Sequence, residues 1–554
     1  MKKQQRLLID SILLGIVGGL SAQLFTWLLH IFNQIFMVKL AGYVPPGLPE
    51  EGGVLIQSIG THGLWLIPVA TTLGGLLSGI LVYSLAPEAE GHGTDTAVKA
   101  YHREGGFIRA RVPFLKMLAS AITIGSGGSA GREGPTALIS GGIGSLYGTL
   151  TKRTEDDRRV LLLIGMASGL SAIFRSPIGT AFFAVEVLYS SMEFDAWVLL
   201  YTMLGSIVAY TINGLFVGWQ PLFSVPASIP QPDFLGYLWY AALGIVAGLV
   251  GALLPEIFYR VRDLFQGISI PPHVKPAIGG LGVGLLALVL PQILGGGYGW
   301  IQEAIDGELA FSLMAILILA KTIALALTIS SGGSGGVFAP GLFVGAMLGG
   351  TLAKIFHQPD AAFVIVGMAA VFAGAARVPI ATLLMVTEMT GGFELLVPAA
   401  LAIMVAYVAQ RQFSSSLRYP TLYEGQVGGR SDSPAHQIEH LETAIRLLAK
   451  RKVDIPETIS HLSLRTLIDA GIPVDLPESR RLVIGTIGNQ SDFIGKSATS
   501  CFPTENDGEI DLVGIFRGEK LLFPDTSLRI QTDDRLLLIA ASEAWEKQKQ
   551  HFTD

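Results

Sequence analysis

The sequence predicts an all-α polytopic membrane protein that carries a small α/β domain at its carboxyl end. Three observations predict it. The 554 residues are 50% hydrophobic and 15% charged, against about 25% charge in an ordinary soluble domain, and mean hydropathy is +0.52. Several apolar runs reach the roughly 20 residues a helix needs to cross a bilayer. The charged residues crowd into the last quarter of the chain. Together these set aside a large soluble helical core. The net charge of −6 gives no basic footprint for nucleic acid. Cys501 is the one cysteine, so no intrachain disulfide forms.

The first apolar run, LLIDSILLGIVGGLSAQLFTWLLHIF, follows MKKQQR. No small-residue cleavage site follows it, so it reads as an uncleaved anchor with a cytoplasmic amino terminus. LWLIPVATTLGGLLSGILVYSL, LGYLWYAALGIVAGLVGALLPEIF and AIGGLGVGLLALVLPQIL are further spans. SLMAILILAKTIALALTI, GVFAPGLFVGAMLGGTLAKIF, AAFVIVGMAAVFAGAA and VPAALAIMVAYVA are shorter or broken by Gly and Pro. About a dozen helices, many interrupted, are expected.

A repeat organises this body. KMLASAITIGSGGSAGREGP from Lys116 aligns with KTIALALTISSGGSGGVFAP from Lys321, an offset of 205 residues. GMASGLSAIFRSPIGTAFFAVE from Gly165 aligns with GMAAVFAGAARVPIATLLMVTE from Gly367, pairing Arg175 with Arg377, Pro177 with Pro379 and Glu186 with Glu388. Broken helices at matching places in two halves point to a transport site near the membrane midplane. A helix that starts inside the bilayer leaves its first amides without intrahelical acceptors, and with the helix dipole these form an anion site. Pro135 and Pro340 stand where a first-turn proline is tolerated. The competing account, glycines that only let helices pack closely, does not explain two such loops in register, each closed by a proline.

GREGP at Gly131–Pro135 and GVFAP at Gly336–Pro340 resemble the two signature loops of the CLC chloride channels and Cl⁻/H⁺ antiporters. APEAEGHGTD at Ala86–Asp95 resembles their first anion-binding loop, and Tyr423 in PTLYEGQ the tyrosine ending their last membrane helix. The resemblance runs from about residue 8 to 430 with the motifs in order. It implies two inverted-topology repeats, a pore in each subunit and a homodimer in the bilayer. It also implies chloride as the transported ion and an anion site formed by His92, Gly93, Thr94, Gly131, Arg132, Gly134, Gly336, Val337, Phe338 and Tyr423. Glu133 matches the gating glutamate, whose carboxylate competes with the anion and takes up a proton. An intramembrane carboxylate is a functional candidate in its own right; the plainer accounts are an ion pair of Glu133 with Arg132, and an interfacial anchor for Tyr423.

Two positions depart from the family pattern. His92 stands where the family has serine, which puts chloride-over-nitrate preference in doubt; either the imidazole holds the anion or it turns away and leaves Thr94 as donor, while Asp95 is suited to cap the helix that starts there. Val187 replaces the internal proton glutamate after Glu186. That favours channel-like chloride conduction, with a proton-coupled Cl⁻/H⁺ antiporter as the alternative and nitrate or fluoride transport behind both. Protons remain a partner and Glu186 a possible relay, although Glu186 and Glu388 fit better as stabilisers of broken helix ends. No cofactor or metal is expected, and no enzyme: GSGGSAGREGP lacks the Gly-Lys-Ser/Thr of a phosphate loop, and no His-Asp pair is placed to activate Ser126 or Ser129.

The membrane domain is expected over 1–430, with halves at roughly 60–217 and 236–423. A linker with a helix in HLETAIRLLAKRK follows over 431–480. From 481 to 554, strands in LVIGTIG, DLVGIFRGEKLLFP and DRLLLIAA, with a helix in FIGKSATSCF, resemble the C-terminal (TrkA-C-like) module of RCK regulatory domains. That implies a cytosolic domain that takes a small ligand or a partner copy. A prokaryotic plasma membrane suits such a chain.

Overall fold

A computed structural model describes residues 3–48, 53–226, 229, 232–433, 435, 474–476, 480–488, 491–502, 510–517, 520–522, 524, 528–541, 544–545 and 552. It separates into two compact units, Met1–Gln426 and Val427–Asp554.

The first unit is helical. Its helices are α1 (Lys3–Asn33), α2 (Ile67–Leu85), α3 (Thr94–Arg103), α4 (Arg111–Gly125), α5 (Glu133–Leu150), α6 (Glu155–Phe174), α7 (Pro177–Glu186), α8 (Ala196–Val217), α9 (Phe234–Gly267), α10 (Lys275–Ala287), α11 (Tyr298–Ile305), α12 (Phe311–Ile329), α13 (Phe338–Phe356), α14 (Asp360–Ala376), α15 (Pro379–Thr390) and α16 (Leu396–Ser414). A two-residue ribbon, β1 (Tyr43–Val44) against β2 (Ser58–Ile59), joins α1 to α2. Among the described residues, seven helical segments are long and apolar enough to cross a membrane. Of the others, α5 (18 residues) and α6 (20 residues) match the spans in length, and the rest are shorter.

The repeat is more complete than the motif matches. α1–α8 recur as α9–α16, so the long helices α1 and α9 correspond and the first half begins at the first helix rather than near residue 60. The Arg-x-Pro break has one form in both copies: Arg175 and Arg377 adopt left-handed φ of 54° and 56° after α6 and α14, and Pro177 and Pro379 open the next helices. Such a conformation is unfavourable without glycine and is held here by side-chain bonds, Arg175 Nη1 to Gln220 O (2.8 Å) and Arg377 Nη2 to Ser414 Oγ (3.0 Å).

The two halves are inverted relative to each other, and α7 and α15 make this visible. Glu186, at the end of α7, accepts from Ile380 N (3.1 Å) and Ala381 N (2.7 Å) in the first turn of α15. Glu388, near the end of α15, accepts from Ile178 N (3.2 Å) and Gly179 N (2.9 Å) in the first turn of α7, and from the Ser176 hydroxyl. Equivalent helices that cap each other's starts from their own far ends must run antiparallel. Packing is close at equivalent glycines too: a Cβ on Gly144 would lie 2.1 Å from Leu161 O, and one on Gly349 2.0 Å from Phe363 O, as membrane helices pack through small residues. α13 and α14 are almost wholly buried, whereas α1 and α9 present leucine, isoleucine and tryptophan outward, the faces expected to meet lipid.

The second unit holds a five-stranded antiparallel sheet of β3 (Val474–Leu476), β4 (Arg480–Thr486), β5 (Ile510–Arg517), β6 (Lys520–Leu522) and β7 (Arg535–Ala541), in the order β3-β4-β7-β5-β6. Val483, Ile515, Leu536, Leu538 and Phe502 build its core. The helix expected in FIGKSATSCF is the short α17 (Ala498–Cys501). The helix expected in HLETAIRLLAKRK lies outside the described residues. Arg517 bonds Asp534 through Nε and Nη2, each at 2.8 Å, and this carboxylate keeps the guanidinium protonated beyond its ordinary range.

Candidate anion-binding site

Three loops meet where the helices break. Gly131 and Gly336, equivalent in the repeat, exchange both backbone bonds as an antiparallel bridge (N to O, 2.8 and 2.6 Å). The pseudo-two-fold axis therefore passes between them. The third strand of this weave is the loop before α3: Gly91 N donates to Gly333 O (3.1 Å) and Gly335 N to Gly91 O (3.2 Å). From this knot α5 and α13 set out with Arg132 and Val337 as their N-caps. Their opening turns contain amides with no intrahelical acceptor and the positive end of each dipole.

Glycine is required where the loops touch. A Cβ on Gly134 would lie 2.1 Å from His92 O and 3.0 Å from Gly336 Cα, and one on Gly93, itself at φ 87°, 2.7 Å from Gly134 O. Lys116 ties the knot from below: wholly buried, its ammonium donates to Ala89 O (3.0 Å) and Gly91 O (2.6 Å). Lys321, its equivalent, donates to Ile293 O (2.8 Å) and Gly295 O (2.6 Å).

Aromatic rings close the site. Tyr423 is fully buried, with its hydroxyl against the Thr94 side chain. It meets the His92 ring edge-on at 5.4 Å and Phe183 at 6.5 Å. Phe338 packs on Phe174 (4.5 Å), Phe372 (4.1 Å) and Phe183 (6.0 Å). The rings give the place where the helix dipoles point an apolar, low-dielectric wall, which strengthens their hold on charge.

His92 Nδ1 accepts a long bond from Asp95 N (3.5 Å) in the first turn of α3. This leaves the ring proton on Nε2. Gly93 is the N-cap of α3, so Asp95 does not cap it: the Asp95 carboxylate instead accepts from Gly425 N (2.6 Å) and pins the segment that follows Tyr423. Glu133, 1% exposed, opens α5, and its Oε1 accepts from the Tyr298 hydroxyl. A cavity of about 410 Å³ reaches Glu133, Arg132 and Tyr298, and another of about 280 Å³ reaches His92 and Gly93. The knot lies between them.

The expected residues His92, Gly93, Thr94, Gly131, Gly134, Gly336, Phe338 and Tyr423 are thus in one neighbourhood, with Arg132 and Val337 as flanking caps and Glu133 on the larger cavity. Glu186 is elsewhere, occupied in capping α15. Val187 is fully buried beyond it, followed by Asp195, whose Oδ2 accepts from Tyr101 (2.8 Å) and Tyr189 (3.1 Å). Motif reading missed Tyr298. The signal was present: LPQILGGGYGW repeats APEAEGHGTD at an offset of 204, placing Tyr298 opposite Thr94.

Fold and geometry define a duplicated polytopic membrane protein with a candidate anion site where its helices break. The family model described as "Voltage gated chloride channel" matches residues 74–411, and the chain belongs to that family, the CLC proteins. It is a multi-pass integral membrane protein of an anion-transporting family. Proteins named H(+)/Cl(-) exchange transporter ClcA from Salmonella agona and Salmonella dublin are each 31% identical over 387 residues, covering 67% of this chain and 81% of theirs. The fold is that of a slow cyanobacterial Cl⁻/H⁺ antiporter (TM-score 0.66, 22% identity, 76% of this chain and 96% of the other). A CLC-type fluoride/proton antiporter is similar to the same degree (TM-score 0.64, 23% identity, 77% and 99%).

Proposed function

We propose that the protein exchanges chloride for protons, with Glu133 as the gate that serves both ions. The observation that carries this reading is the place of the Glu133 carboxylate: buried at the start of α5, on the larger cavity and beside the α13 turn. An ionised carboxylate there occupies the position an anion needs. Protonation cancels the attraction of the helix ends and frees that position, so one group meets both ions in alternation. The exchange-transporter names of the 31% identical relatives favour this coupled reading over the channel-like one that Val187 suggested.

The channel-like reading keeps one observation in its favour, the apolar, buried Val187. Exchange then needs a proton route that bypasses residue 187; Tyr189 and Asp195 lie just beyond it in the chain, and Tyr101 joins them by its bond to Asp195. Chloride as the preferred ion is part of the proposal, as are a homodimer, cytosolic termini, and an RCK-like ligand-binding role for the antiparallel tail sheet.

The test is proton movement in liposomes driven by a chloride gradient. Uphill proton flux is expected; chloride flux with no proton movement overturns exchange in favour of a channel. Replacing chloride with nitrate or fluoride in the same assay tests the choice of ion.

A further inference from the structure

Tyr298 is the one side chain hydrogen bonded to Glu133 among the bonds the described residues show, and its surroundings fix it in place. Its ring stands edge-on to Phe223 (5.6 Å), and the Arg132 guanidinium lies over the ring, 5.8 Å from the centroid. It opens α11, directly after the Gly295–Gly297 turn whose Gly295 carbonyl Lys321 holds at 2.6 Å. In the repeat it is the counterpart of Thr94, which meets Tyr423. Each copy of the loop therefore begins its helix with a hydroxyl residue: Thr94, next in the chain to Gly93 of the smaller cavity, and Tyr298 on the larger cavity.

We infer that Tyr298 is a positioning residue that latches the Glu133 carboxylate in its seated, anion-excluding position from the side of the larger cavity. This rests on Glu133 being the gate. A phenol that donates to a carboxylate stabilises its ionised, seated form through a charge-assisted bond. Tyr298 and Glu133 border the same cavity, so a carboxylate swinging into it must release this bond. The latch raises the anion concentration needed to displace the gate, without itself touching the anion.

Chloride titrated calorimetrically into purified full-length protein tests this, because anion and carboxylate compete for one place. Tyr298→Phe keeps the ring and its contacts with Phe223 and Arg132 but loses the donor. It is expected to tighten apparent chloride binding, by about tenfold or more for the loss of one bond to a charged group. Glu133→Ala is expected to tighten binding at least as much, and adding Tyr298→Phe to Glu133→Ala to change nothing further. A residue that only supported the fold would weaken binding when altered, the opposite sign. Unchanged or weaker binding in Tyr298→Phe, while Glu133→Ala binds more tightly, overturns the latch and leaves the gate standing. Equal tightening by Tyr298→Phe with and without Glu133 also overturns the latch. No tightening in Glu133→Ala overturns the gate reading itself.

Discussion

Glu186→Gln tests the reciprocal capping of α7 and α15. The carboxylate receives two amides, Ile380 N at 3.1 Å and Ala381 N at 2.7 Å, in a position with no solvent exposure. Glutamine keeps one acceptor oxygen and turns an NH₂ group toward the other amide, so one charge-assisted bond is lost and two donors face each other. A bond to a charged group contributes about 1.5–3 kcal/mol, and an orphaned buried donor costs a similar amount, so about 2–4 kcal/mol of stability is expected to disappear. Glu388→Gln removes the equivalent carboxylate, but that site is only half-buried, and solvent screening reduces the expected loss to about 1–2 kcal/mol. Thermal unfolding in detergent, followed by tryptophan fluorescence at one heating rate, reads the order: wild type above Glu388→Gln above Glu186→Gln. An unchanged midpoint in Glu186→Gln would show that these bonds do not hold the broken helices. If its midpoint is unchanged and proton coupling is lost, Glu186 is a proton relay rather than a cap.

Gly134→Ala places a methyl 2.1 Å from His92 O, a backbone atom that cannot step aside; loss of chloride binding by calorimetry is expected, with part of the protein lost to aggregation on size exclusion. Lys116→Met takes the charged donor from the Ala89 and Gly91 carbonyls beside His92, leaving them the Ser334 hydroxyl and the Gly335 amide, and chloride affinity is expected to fall about tenfold; wild-type affinity would mean the lysine only fills space. In the tail, Arg517→Ala leaves the buried Asp534 carboxylate without its guanidinium. About 2–4 kcal/mol of that domain's stability is expected to go, read as faster proteolysis of the tail with the membrane domain intact.

What could be read in the sequence was local chemistry repeated at a fixed offset. Gly131 and Gly336, Glu186 and Glu388, Lys116 and Lys321 each announced themselves as pairs. Their partners did not. Nothing near Glu186 indicates that its carboxylate binds amides 194 and 195 residues away, because only the antiparallel crossing of α7 and α15 brings them together. Asp95 shows the same limit: its residue type fits an N-cap, but Gly93 takes that position and the Gly425 amide, 330 residues downstream, claims the carboxylate. Tyr298 escaped because tyrosine and Thr94 look unlike, although the flanking Pro87 and Pro291, Gly91 and Gly295, and Gly93 and Gly297 are in register.

The exchanged caps also set a timetable for biogenesis. The start of α7 waits for Glu388, 209 residues downstream of Gly179, and translation at about 5–20 residues per second takes roughly 10–40 s to supply it. Throughout that interval the nascent first half holds a helix start without its acceptor and, in Glu186, an acid without its donors. Neither defect is repaired before the second half arrives, and then α7 and α15 correct both at once. A half released early from the ribosome would carry both defects into the bilayer, a mark by which membrane quality control can tell a truncated chain from a finished one.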